Sequence, residues 1–386
     1  MKQDLETNEM TGFDVGKGNP PEEHGSSLLQ VNDEPEGDIP PLPLETDATG
    51  HIVKEKASAF PAPEPVPTME PTDIGNAERF AWMHKGLIRF CLELQAWIIY
   101  QLGCWVVDVG DGIGVMAKST INSLYQEAQK LTGTAKSEML GNWRNSSTPS
   151  RMKAMVQLAR WEPGIPIHKY ELDRDPWLLN CKNGTLDLRT GILRDHDPEG
   201  LITRMTPIEY DPNATCPSFF GFVDRIMDGD MEMISFLQSM LGYMLTGDTS
   251  EQGLFVFWGF GSNGKSTLIE TISKVLGPYA LHTPSASLLS QRSGNIRNDI
   301  ARLAGARMVS AIEVGSGMTL DEPLVKQLTG GDQVTARFLY REHFEFRPEF
   351  KIVLVANHKP LITGTDHGIW RRVHLVPFEV EFLPRR

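Results

Sequence analysis

Beyond Gly253 the chain alternates between short unbroken apolar runs and stretches whose apolar residues recur three or four apart. The runs are LFVFWG, RMVSAIE and FKIVLVAN, and KSTLIETISKVLG between the first two has helical spacing. A run of strand length without polar alternation is what a strand buried on both faces requires. Such strands joined through helices predict a mainly parallel sheet covered on both sides, an α/β architecture.

Upstream the spacing differs. TDIGNAERFAWMHKG begins with an N-cap candidate and continues as a short helical pattern. LIRFCLELQAWIIYQLGCWVVDV is rich in β-branched and aromatic residues and predicts short strands. VMAKSTINSLYQEAQKLTG and SRMKAMVQLARW predict helices. WLLNCKNGTLDLRTGILRDHDP holds two apolar runs around Asn183-Gly184, a hairpin signal. PSFFGFVDRIMDGDMEMISFLQSMLGYMLTG predicts two helices divided at Asp228-Gly229-Asp230. No internal repeat is present.

Residues 1–72 follow neither period. Residues 1–73 carry 11 of the 26 prolines, with DEPEGDIPPLPLE and FPAPEPVPTMEP as examples. Such a segment cannot bury enough apolar surface to offset the entropy of ordering it. The breaks in texture divide the chain into a disordered acidic, Pro-rich leader over 1–72, a mixed α+β domain over 73–235 and the alternating domain over 236–386. The leader is read as a solvated spacer, or as a tether to a partner.

Composition sharpens this division. The formal net charge is −13, which by itself argues against a nucleic-acid partner. Residues 1–73, however, hold 16 acidic and 4 basic residues, so the remainder is close to neutral at −1. A near-neutral body can hold a local basic channel. Cys91, Cys104, Cys181 and Cys216 stand alone, without CxxC or a paired histidine spacing, which argues against zinc and for a reduced compartment. No apolar run reaches the length of a membrane span, and the polar start MKQDLETNEMTG does not read as a secretory signal.

The chemistry centres on Gly259-Phe260-Gly261-Ser262-Asn263-Gly264-Lys265-Ser266, which fits GxxxxGK[ST] between an apolar strand and a helical stretch. Glycines let backbone N–H groups close around an anion, and the following helix turns its positive end toward it. Lys265 is placed for the β/γ-phosphates and Ser266 for Mg²⁺. Downstream, one apolar run ends in Glu313, the place of a Walker B acid, and another in Asn357, where an amide can orient an attacking water. Arg371 and Arg372 precede a further strand. Each of these has a plainer reading: a solvated strand-end charge, a turn cap before Pro360, and a surface basic pair.

Taken in this order, the parts resemble superfamily 3 helicases, specifically the helicase half of phage and plasmid primase-helicases. NGTLDLRTGILRDHDPEGLITRMTPIEYDP is similar to the domain preceding the motor in that group. KQLTGGDQVTARFLYREHFEFRPEFKIVLVANHKPLITGTDHGIWRRVHLVPF is similar to its motor core. The resemblance implies a P-loop NTPase core of AAA+ type over 236–386 and a helicase-associated domain over 73–235. It implies a homo-hexameric ring translocating on single-stranded DNA, 3′→5′, with ATP and Mg²⁺ bound between subunits. It makes Gly259 to Thr267 the nucleotide loop, with Thr267 its last member. Ser266 and Glu313 become the Mg²⁺ residues, Glu313 also the Walker B acid and Asn357 the sensor. Arg372 becomes the arginine acting on a neighbour's ATP, and Lys326 a further basic residue at that interface. A DNA-contacting hairpin falls in VTARFLYREHFEF, with Arg341 and His343 at or beside its tip.

Three departures qualify the resemblance. Val314 follows Glu313 where many relatives have a second acid, which leaves Glu313 to do both jobs or Asp321 or Glu322 to help in base catalysis. The sequence ends at VEFLPRR, where relatives continue into a helical tail. Residues 1–72 do not read as a primase domain, so no primer synthesis is expected of this chain. The leading expectation is an ATP-driven DNA helicase in phage, prophage or plasmid replication, in the host cytoplasm, with a primase or initiation protein as a further partner. A nucleic-acid-translocating ATPase that does not unwind, an inactive DNA-binding remnant and, last, a small-molecule kinase are the alternatives.

Overall fold

The computed structural model describes residues 69–290, 298–314, 317–337 and 343–382. The leader reading over residues 1–72 therefore lies almost wholly outside the described residues. Those described belong to one compact unit, Pro65–Arg386.

The first part of this unit is built on local signals. Helix α1 (Asp73–Met83) starts at Thr72, whose hydroxyl accepts from the Gly75 N–H at 3.1 Å. Strands β1 (Ile88–Cys91), β2 (Ala96–Gln101) and β3 (Cys104–Val107) pair antiparallel in sequence, as their β-branched and aromatic content predicts. Helices α2 (Gly112–Gln129), α3 (Gly133–Ser146) and α4 (Pro149–Ala159) follow, and β4 (Pro166–Ile167) joins β1 in parallel. Phe80, Ile88, Phe90, Ile113, Ile121 and Met155 form the core between these helices and the sheet. The Asn183-Gly184 signal is a hairpin in the structure: β5 (Leu178–Cys181) pairs antiparallel with β6 (Gly184–Asp187), which pairs with β7 (Ile192–Arg194).

Helices α5 (Pro217–Ile226) and α6 (Met231–Leu245) are divided where the sequence places Asp228-Gly229-Asp230. Asp230 caps α6, accepting from the N–H groups of Glu232 and Met233. The remaining elements are β8 (Leu254–Trp258), α7 (Lys265–Leu276), β9 (Ala280–Pro284), α8 (Asn298–Ala301), β10 (Met308–Val314), α9 (Glu322–Thr329), β11 (Val334–Arg337), β12 (His343–Phe346), β13 (Lys351–Ala356), α10 (His367–Trp370) and β14 (Val373–Pro377). Five of these strands form a parallel sheet in the order β14-β8-β13-β10-β9. The chain is thus mixed α/β with a parallel sheet.

Alternate residues of each strand enter two different cores. Phe255, Phe257, Val353 and Val355 face one, with Leu268 and Ile269 of α7, Val223 and Ile226 of α5, Met240 and Met244 of α6 and Leu179 and Leu186 of β5 and β6. Leu254, Val256, Ile352 and Leu354 face the other, with Val325 and Leu328 of α9. This two-sided burial is why the strands read as continuous apolar runs. Burial of each such side chain contributes about 1.5–3 kcal/mol. Among the described residues no helix is long and apolar enough to cross a membrane.

One charge is buried at the amino-terminal end of this sheet. Lys351, the first residue of β13, is 1% exposed. Its ammonium donates to the carbonyls of Thr246 and, at 3.2 Å, Asp248, and lies 4.6 Å over the Tyr243 ring. Burial first, then the nearby Arg307, push its pKa down to about 7. In the unfolded chain a lysine titrates near about 10.4. Between those values the unfolded state binds more protons, so the penalty of burying this amine is full below pH 7 and is relieved as pH rises. Urea denaturation of wild type and Lys351→Met should show the wild type gaining on the variant between pH 7 and pH 9, by up to about 1.4 kcal/mol per pH unit. Parallel stability curves for the two proteins would mean that Lys351 keeps an ordinary pKa.

Candidate functional site

The glycine loop leaves the sheet at the carboxyl end of β8. Its start is fixed by the ladder: the Gly259 N–H donates to the Ala356 carbonyl at 3.3 Å, and the Phe378 N–H donates to the Trp258 carbonyl at 2.7 Å. A Cβ at Gly259 would lie 2.2 Å from the Phe378 carbonyl oxygen. The loop's end is equally constrained. Gly264 has φ +87°, and a Cβ there would meet Ile226 Cγ2 of α5 at 2.6 Å. Only glycine suits both the backbone conformation and the space.

Within the loop Asn263 is buried and works in two directions. Its Nδ2 donates to the Phe378 carbonyl at 3.0 Å, and its Oδ1 accepts from Lys265 Nζ at 2.9 Å. Lys265 Nζ also donates to the carbonyls of Gly259 at 2.5 Å and Phe260 at 3.3 Å. These partners are uncharged, and burial lowers the Lys265 pKa. Phe260, Gly261, Ser262, Ser266 and Thr267 are exposed. The first-turn N–H groups of α7 have no intrahelical acceptor, so this end of the helix suits an anion. An ammonium with only neutral partners, a helix amino terminus and an exposed glycine loop together fit a polyphosphate.

The segment after β14 is part of this construction. Besides the Phe378 contacts, the Phe382 N–H donates to the Ser262 carbonyl at 2.7 Å. Residues 378–382 were not singled out by sequence, because their role is carried by backbone groups. The only trace is the apolar alternation in HLVPFEVEF, which is also what an ordinary strand end would show.

Adjacent strands bring two further candidates to the same edge. In the ladder Trp258 lies opposite Ala356, and Ala356 opposite Val314. Asn357 follows directly and is exposed. The register of β10 against β13 shifts between Ile312 and Val314, so Glu313, of which only the backbone is described, is the extra residue of an irregularity. The two other acids have structural duties. Asp321 caps α9 by accepting from the Leu324 N–H at 3.2 Å. Glu322 is buried and accepts from the N–H groups of Thr363 at 2.8 Å and Gly364 at 2.7 Å.

Arg371 and Arg372 stand at the other end of the sheet. Val373 pairs with Leu254, the first residue of β8, whereas the loop follows the last. A five-residue strand separates those ends by about 16 Å. Arg372 is buried; its Nε donates to Thr329 Oγ1 at 3.1 Å, its Nη1 donates to the Gly368 carbonyl, and burial lowers its pKa. Arg371 is exposed and bonded to Gln252. Lys326 pairs with Asp366 at 2.8 Å, an ion pair that holds the Asp366 carboxyl below its ordinary value. The hairpin expected between Glu313 and Asn357 is β11 against β12, with Arg337 opposite His343. Arg341 lies outside the described residues, and of His343 only the backbone is described.

Residues 77–228 match the family described as D5 N terminal like, and residues 257–372 match a family of unknown function (DUF5906). A protein of Acanthamoeba polyphaga mimivirus named a putative helicase is 33% identical over 220 residues, covering 55% of this chain and 23% of the relative. One of Frog virus 3 with the same description is 26% identical over 283 residues, covering 55% and 29%. An African swine fever virus protein named a putative primase is 28% identical over 223 residues, covering 55% and 23%. The aligned region spans roughly a quarter of these curated relatives, which come from large DNA viruses rather than from phages or plasmids. The apo C-terminal region of NrS-1 superposes with a TM-score of 0.45 at 13% identity, covering 80% of this chain and 62% of that one. The D5 N-terminal-like match and the viral relatives named helicase and primase make the chain similar to primase-helicases.

Proposed function

We propose that the chain is the motor of an ATP-dependent DNA helicase, a P-loop NTPase of superfamily 3 type that works as a hexameric ring on single-stranded DNA during genome replication. The observation that carries the reading is the convergence of the glycine loop, Glu313 and Asn357 at the carboxyl ends of three adjacent parallel strands. Ligands of open α/β sheets bind at that edge. The primase-helicase relatives favour DNA over a small-molecule phosphoryl acceptor.

In this reading Lys265 exchanges its carbonyl and amide partners for phosphate oxygens. That exchange replaces neutral acceptors by charged ones, which strengthens the hydrogen bonds. Ser266 and Glu313 hold Mg²⁺, which when bound neutralises charge on the phosphates. Asn357 orients the attacking water. Neither arginine reaches the loop of its own chain, so an arginine contribution has to come from a neighbouring subunit. Arg371, exposed, would have to leave only Gln252; Arg372 would have to leave Thr329 and Gly368.

ATP hydrolysis by the purified chain, with and without single-stranded DNA, tests the reading directly. Stimulation by DNA is expected, and unwinding of a tailed duplex separates a helicase from a motor that only translocates. Lys265→Ala should lower turnover by about two to three orders of magnitude, the effect of removing a principal charge stabiliser. Unchanged turnover would exclude this loop as the active site.

Mixing variants tests the ring. Loss of a trans-acting arginine lowers the rate by about 10³–10⁵. Lys265→Ala subunits combined with Arg372→Ala or Arg371→Ala subunits should recover part of the ATPase, since one type of interface then has both an intact loop and an intact arginine. The arginine whose variant complements is the one that acts. Complementation by neither, in a chain that stays monomeric with ATP and DNA, would rule out a shared site.

A further inference from the structure

Away from the glycine loop, an exposed cluster stands where the N-terminal part of the unit touches the β11–β12 hairpin. Lys169–Glu171 form one 3₁₀ turn after β4, clamped by two carboxylates. Glu93 accepts from the Lys169 N–H at 2.8 Å and hydrogen-bonds His168 Nδ1 at 2.8 Å. Glu171 accepts from the His168 N–H at 2.8 Å. Burial alone pushes the Glu93 carboxyl up, but the His168 and Lys169 hydrogen bonds outweigh it and hold the group below its ordinary value.

What this clamp holds is an aromatic ring in solvent. Tyr170 is 71% exposed, and its ring stacks on that of His168 with centroids 5.0 Å apart and 14° between the planes. Beside it, the Lys169 ammonium lies 4.7 Å over the ring of Phe344 in β12. Burial of Tyr170 returns little to the fold, yet the turn that carries it is fixed by three hydrogen bonds. A ring ordered in advance loses little entropy when a flat partner settles on it.

We propose that Tyr170 is a stacking platform for a base of single-stranded DNA, with Lys169 facing the adjoining phosphate. This rests on the helicase reading above. An aromatic face accepts any base, which suits a protein that moves along DNA of arbitrary sequence. Glu93 and Glu171 are the opposing charges at this turn. Both are engaged by N–H or imidazole groups, and their presence makes stacking rather than phosphate binding the main interaction.

The experiment is fluorescence anisotropy of the full chain with a labelled oligothymidylate and with an abasic oligonucleotide. Tyr170→Ala should bind oligothymidylate roughly 5- to 100-fold more weakly, the range for loss of one stacked base. Tyr170→Phe should bind as wild type, and Tyr170→Trp should show its indole emission quenched by the oligonucleotide. On the abasic probe Tyr170→Ala and wild type should be equal. If wild type binds oligothymidylate and Tyr170→Ala binds it equally well, the stacking proposal fails while the helicase reading stands. An equal loss on both probes also overturns it, because the defect is then not in a base contact. If wild type binds neither probe, the helicase reading falls and takes this proposal with it.

Discussion

Parallel pairing of β8 on both of its edges constrains everything that follows it. The strand is hydrogen-bonded to β13 on one side and β14 on the other, with both faces covered by apolar side chains. A strand held this way cannot slip by one residue without exchanging the side chains packed into the two cores. It delivers Gly259 to one fixed point; the neighbouring β13 delivers Asn357 beside it, and β10, on the far side of β13, carries Glu313 at the same edge of the sheet. Loops of small and polar residues are thereby placed with the precision of a sheet, which is what positioning of a phosphate requires.

The loop itself is held more closely than its glycine content suggests. Asn263 links Lys265 to the Phe378 carbonyl, and the backbone of 378–382 closes along the other side. Lys265 is therefore ordered before any ligand arrives. Its position carries a desolvation cost, visible in the lowered pKa, that three neutral acceptors only partly offset. A group so placed gains more from an anion than an exposed lysine would, because an exposed ammonium must first give up water.

How much of this was legible in the sequence follows from where each signal resides. The apolar runs of β8, β10 and β13, the glycine turn, the Asn183-Gly184 hairpin and the division of α5 from α6 are local patterns, and each marks its element. Helix α3 was missed for a physical reason. Only Ser146 in it is fully buried, with Met139 and Trp143 partly so, and a helix that buries this little shows no clear apolar stripe. Lys351 stands second in the run FKIVLVAN and reads as a flanking charge, although it lies inside. Tyr170 and His168 are ordinary loop residues in the sequence, because the carboxylate that orders them, Glu93, is 75 residues from His168. The surroundings of Arg372 depend on Thr329, brought close only by the folded sheet.

The N-terminal part of the unit and the parallel sheet are joined in two ways that differ in kind. At the amino-terminal end of the sheet Leu179 and Leu186 share a core with β8 and β13, and Arg307, buried beneath the Tyr279 ring, donates to the carbonyls of Leu178 at 2.5 Å and Leu245. Separating these groups would expose apolar surface and break the guanidinium's hydrogen bonds to Leu178 and Leu245, which costs several kcal/mol. At the hairpin the described residues include the Lys169–Phe344 contact, worth about 0.5–2 kcal/mol. A junction of that size is comparable with what one stacked base contributes. The core that positions the glycine loop is thus joined firmly to the N-terminal part at one end of the sheet, whatever becomes of the contact at the hairpin.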